Sequence, residues 1–127
     1  MTDVETGVAD ARDLAGTVAA IIAPWRQLLL DNDYALGCPL AATVVDSAAN
    51  QHLREHIANS FDDWHSSVTD VLTRYGHSAA TAGDQATVLI AAIEGALILA
   101  RAKRSTEPID AVQRVFSHPP AASPHTG

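Results

Sequence analysis

The stretch QATVLIAAIEGALILARAKR, Gln85 to Arg104, decides the fold. Apart from Glu94 it is apolar almost all round until Arg101, Lys103 and Arg104, whose charges suit the C-terminal end of a helix dipole. Its apolar part, Ala86 to Ala100, is shorter than a membrane span and has a carboxylate in its middle, so it reads as a buried soluble helix and no membrane partner is expected. A helix with no polar face in a small domain needs cover on both sides. The simplest source of the second cover is another copy of the chain. Leu89, Ile93, Leu97 and Ala100 form one stripe of this helix, and Val112, Val115 and Phe116 line the next one. Together they are expected to make half of a four-helix bundle across a two-fold axis.

The rest of the chain limits what surrounds that helix. Its 127 residues fit one domain, and 47% hydrophobic but only 5% aromatic content suits closely packed helices. The expected fold is all-α, a bundle of about five to six helices. With 8 Lys+Arg against 15 Asp+Glu the formal charge is -7, which argues against a broad phosphate-binding surface. Cys38 is the single cysteine, so no intrachain disulfide can form, in agreement with a cytoplasmic location. The acidic start MTDVETGVADARDL does not resemble an export signal.

Outward from Gln85, T-x-x-D at Thr81 to Asp84 reads as the helix start, after a linker HSAA. Before it, Leu53, Ile57, Phe61, Trp64, Val68, Val71, Leu72 and Tyr75 step by threes and fours, which predicts an amphipathic helix capped by Asn50 and stopped by Gly76. From about Ala9 to Asn32, Leu14, Val18, Ile21, Ile22, Trp25, Leu28 and Leu29 predict another helix, kinked or briefly broken at Pro24. DNDYALGCPLAA interrupts it, with Gly37 permitting positive φ and Pro39 suited to the first turn of a short helix over Leu40 to Ala48. Ser105 to Pro108 separates a last helix. Residues 1–8 read as a flexible start, 9–117 as the folded domain, and 118–127, proline-rich, as a disordered tail.

One motif points to chemistry. HLREH, His52 to His56, is H-x-x-E-H, which in zinc hydrolases places two histidines one helical turn apart with a glutamate to activate water. A third protein ligand and a cleft are also required, and Leu53 and Ile57 put both histidines at the edge of an apolar stripe. Surface histidines are the preferred reading and the zinc hydrolase the unfavoured alternative. No phosphate loop, nucleophile elbow or Cys-x-x-Cys pair is present, so neither an enzyme, a metal site nor a cofactor is expected. Cys38, in G-C-P, reads as structural rather than redox-active.

Three motifs in order, D-Y-A-L-G-C-P-L-A-A (Asp33 to Ala42), L-R-E-H-I-A-N-S-F-D-D-W (Leu53 to Trp64) and A-A-I-E-G-A-L-I-L-A-R-A (Ala91 to Ala102) with P-I-D-A-V (Pro108 to Val112), resemble the regulatory domain of TetR-type transcriptional repressors of the LmrA-like branch. The resemblance implies a homodimer formed through the last two helices, a pocket for a small apolar or amphipathic effector, and DNA contact only through an N-terminal helix-turn-helix reader that this chain lacks. Trp25, Leu29, Tyr34, Phe61 and Trp64 lie on segments that enclose the pocket in that family. Glu94, a carboxyl in an apolar helix, must find a hydrogen-bond partner or stay protonated, and is the sixth pocket candidate. The alternative to an effector-binding repressor domain is a helical homodimerisation module with no ligand.

Overall fold

A computed structural model describes residues 13–39, 50–75 and 78–118, and these form an all-α bundle with four helices among the described residues. We number them α1 (Leu14–Asp31), α2 (Gln51–Arg74), α3 (Ala79–Lys103) and α4 (Glu107–Phe116). The expected short helix at 40–48, the flexible start at 1–8, the stop at Gly76 and nearly all of the tail at 119–127 lie outside the described residues.

Local chemistry places the helix ends. The Asp13 side chain accepts from the Gly16 N–H at 2.8 Å and starts α1. α1 then runs without a break through Pro24, where a kink or a brief break was expected. Pro24 is exposed, so the carbonyl that loses its helical partner can be hydrated. Asn50 caps α2 through the Leu53 N–H at 3.0 Å, as its sequence pattern predicts. The start of α3 differs from expectation: Ser78, not Thr81, is the cap. Its Oγ accepts from the Thr81 N–H at 3.2 Å and donates to Thr81 Oγ1 at 2.9 Å, and the alanines at 79 and 80 are strong helix formers. Thr106 stands at the start of α4 without a side-chain bond to the helix backbone, and Pro108 lies in the first turn.

α3 lies in the middle. The other three helices pack on it, and α1 also packs on α4. The short connection after α2 folds α3 back along it, and His65 Nε2 of α2 bonds the Gly83 carbonyl of α3 at 2.9 Å. Ile22 and Leu29 of α1, Leu89, Ile93 and Leu97 of α3, and Ile109 of α4 have almost no solvent contact. Each is worth about 1.5–3 kcal/mol in burial. By length and hydropathy α3 would pass for a membrane span, and three helices pack on one side of it.

This packing moves the interface expectation. Leu89, Ile93, Leu97 and Ala100 are 0, 0, 1 and 0% exposed, so they face the chain's own core and cannot meet a second copy. Val112 and Phe116 are half-buried against the same core. Of the seven expected interface residues only Val115, at 70% exposure, points away. The physical reason is that α1, α2 and α4 all lie on one side of α3, and they cover whichever stripe faces them.

Candidate functional site

With one face of α3 used by the core, the opposite face remains apolar and open. Val88, Ala91, Gly95, Ile98 and Ala102 follow one another at intervals of three and four residues, and all are exposed, Val88 at 56% and Ile98 at 66%. Leu99 beside them is 51% exposed. This alternation is the 3.5-residue repeat by which helices pair along a seam. Gly95 strengthens the point: a Cβ built there meets nothing within 4 Å, so no helix of this chain requires its small size. A glycine in mid-helix costs about 1 kcal/mol relative to alanine, and close approach by a second molecule would offset that.

A second cluster lies between α1 and α2. The Trp25 and Trp64 rings are 5.3 Å apart between centroids and tilted by 42°, and Phe61 stacks beside Trp64 at 6.2 Å. Trp64 is 8% exposed, while Trp25 and Phe61 are partly open. Such groupings contribute beyond their buried area and offer flat apolar walls to a ligand. Of the six pocket candidates the structure brings these three together, and the others divide. Leu29 is wholly buried in the core, and Tyr34 sits at the end of α3 with the Arg104 guanidinium 5.8 Å over its ring.

Glu94 lies part-way round α3 between the core face and the open seam. Its Oε1 is buried with no hydrogen-bond partner. Burial raises the pKa of its carboxyl above the ordinary 4.5, opposed by a hydrogen bond with Cys38. A carboxyl whose folded pKa exceeds its unfolded value gives up its proton more readily on unfolding. The contribution of Glu94 to stability is therefore fully present below 4.5 and is lost as pH rises through the raised value. Glu94→Gln is expected to flatten that decline, so that denaturation midpoints at pH 5 and pH 8 differ less in the variant than in the wild type.

The histidines of HLREH do not form a metal centre with other described residues. His52 and His56 are both exposed, and among the described residues no three His, Cys, Asp or Glu side chains come together as a ligand set. Sequence reasoning missed a polar network joining α1 to α4. Arg26 Nη2 pairs with Asp110 Oδ1 at 2.9 Å and also bonds the Gln113 side chain, while Thr106 Oγ1 donates to Asp110 Oδ2 at 3.0 Å. Arg26, Asp110 and Gln113 line an open cleft of about 320 Å³ with Arg114, Ser117 and His118. Partners 84 residues apart leave no local spacing from which to find them.

Residues 10–115 match the family model for the C-terminal domain of LmrA/YxaF-like transcriptional regulators. The chain belongs to that family. Two curated relatives, each named as an uncharacterised HTH-type transcriptional regulator and drawn from two strains of Mycobacterium tuberculosis, are 33% identical over 102 residues. The alignment covers 75% of this chain and 52% of theirs, so the chain spans about half the length of the curated relatives it matches. No solved structure matches. Within this TetR-type regulator domain, the apolar seam on α3 and the unpartnered Glu94 Oε1 are features that core packing alone does not explain. The family is one of transcriptional regulators and not of enzymes.

Proposed function

We propose that this domain is the effector-binding and dimerisation part of a TetR-like repressor. The observation that carries the reading is α3, apolar on two opposite faces, of which its own chain covers one. Two copies joined along Val88, Gly95 and Ile98 would hide the second face, with Val115 as a candidate flank on α4. The paired α3 and α4 helices then make a four-helix bundle. DNA contact would come from an attached helix-turn-helix reader, and the cytoplasm is the expected location. An apolar or amphipathic effector would rest against Trp25, Phe61 and Trp64, with Glu94 a candidate polar contact. Binding one arrangement of α1 and α2 better than another would shift the population of dimer geometries, and with it the spacing of the DNA readers.

The chain's two tryptophans both lie in the aromatic cluster, so intrinsic fluorescence reports on it directly. Titration with a panel of apolar and amphipathic small molecules is expected to give a saturable change in tryptophan emission for at least one compound, weakened in Trp25→Phe. A compound that native mass spectrometry finds bound one per subunit, but that leaves tryptophan emission unchanged, would place the pocket elsewhere. The direct packing of Trp25 on Trp64 supports the second reading, a dimerisation module with no ligand. That reading predicts a dimer with no saturable response to any compound in the panel.

A further inference from the structure

The cleft between α1 and α4 shares no lining residue with the α3 seam or with the aromatic cluster. Asp110, Gln113, Arg114 and Ser117 recur at intervals of three and four along α4 and so make one face of it. The neighbouring face sends Ile109, Val112 and Phe116 toward the core. Arg26 reaches the polar face from α1, and His118 lies just past its end.

The lining is lopsided in what it has left to offer. Its acceptors are already in use: Asp110 Oδ1 takes Arg26 Nε at 3.0 Å and Nη2 at 2.9 Å, Oδ2 takes Thr106 Oγ1, and Gln113 Oε1 takes Arg26 Nη2. At the end of α4 the Gln113 carbonyl accepts from both the N–H and the hydroxyl of Ser117. Donors remain in excess. Among the described residues nothing accepts from Arg26 Nη1, from Nε and Nη1 of Arg114, or from the side-chain amide nitrogen of Gln113. The bond of Arg114 to Glu107 Oε1, at 2.6 Å, joins side chains 62% and 67% exposed, and a pair so open to water is weak. In a chain of net charge -7, two arginines and a histidine thus line one concavity whose single carboxylate, Asp110, is paired.

We propose that this cleft is a binding site for a small oxyanion, a carboxylate or phosphate group. Planar guanidinium forks from two different helices are the donor set that such groups select, because each fork can meet two oxygens at once. Arg26 is the fixed member, its fork held by Asp110 and Gln113, so little freedom is lost when Nη1 finds an acceptor. Arg114 is the exchangeable member and gives up Glu107 for the ligand, while the Gln113 amide donates beside it. The site needs neither the effector nor the dimer proposed above.

Two-dimensional ¹H–¹⁵N NMR of the full chain tests this, with sodium phosphate added while sodium chloride keeps the ionic strength constant. The Nε signals of Arg26 and Arg114 and the backbone signals from Gln113 to His118 are expected to shift together and saturate. Arg114→Gln is expected to weaken the apparent affinity about tenfold, the loss of a charge-assisted contact, and Lys103→Gln, outside the cleft, to leave it unchanged. Succinate in place of phosphate separates the two sources of the chemistry: saturation by either supports the site, and the tighter of the two names the preferred group. Shifts that rise linearly with both anions, or that spread equally to arginines outside the cleft, would mean an adventitious ion only and overturn the proposal. Equal affinity in Arg114→Gln would overturn it too, and the wild-type titration decides alone if that variant fails to fold.

Discussion

Ile98→Glu is expected to leave the helices folded and abolish the dimer. Ile98 is 66% exposed within its own chain, so a glutamate there meets water in the monomer and disturbs no core contact. In the proposed dimer the same position lies in the middle of the seam, and two-fold symmetry brings in two carboxylates per interface. Burying an unpaired charge costs several kcal/mol, and each 1.4 kcal/mol is a factor of ten in affinity, so the dissociation constant should rise by at least about three orders of magnitude. Sedimentation velocity beside far-UV circular dichroism separates the effects. Loss of helix along with loss of dimer would mean that Ile98 belongs to the fold, and an unchanged dimer would remove the α3 seam as the interface.

Ile93→Ala should do the reverse. Ile93 is on the same helix, five residues earlier, with 0% exposure and a place in the core cluster. Removing three carbons from a fully buried isoleucine costs about 2–5 kcal/mol, through lost transfer energy and the cavity left behind. For a small domain with total stability of about 5–15 kcal/mol, that is a large fraction. Urea titration at one fixed protein concentration should show a much lower midpoint, because unfolding of a dimer depends on concentration. A cost below about 1 kcal/mol would indicate that Ile93 is not sealed by α1, α2 and α4.

The contrast between those two isoleucines shows what the sequence could and could not reveal. α2 was legible because its polar and apolar residues alternate with a clear phase, from Leu53 to Leu72, and because Asn50 is a strong cap. That α3 is apolar on two opposite sides was legible as well. Which stripe faces inward was not, since Leu89, Ile93 and Leu97 are chemically equivalent to Val88, Ile98 and Leu99. The charges at its end do not break the tie: Lys103 lies about 200° round the helix from Arg101, so the pair flanks both apolar faces almost equally. The phase is set by where α1, α2 and α4 lie, and that is tertiary information. For the same reason the Arg26–Asp110 pair, the Arg104–Asp33 pair and the direct packing of Trp25 on Trp64 escaped notice.

Sedimentation equilibrium of the wild-type chain across a hundredfold range of concentration tests the central claim most directly. The account predicts a particle of twice 13.4 kDa at the upper end, with a self-association constant that Ile98→Glu removes and Val115→Glu weakens. A single species of 13.4 kDa throughout, with α3 still helical, would leave the apolar seam uncovered in solution and contradict the account.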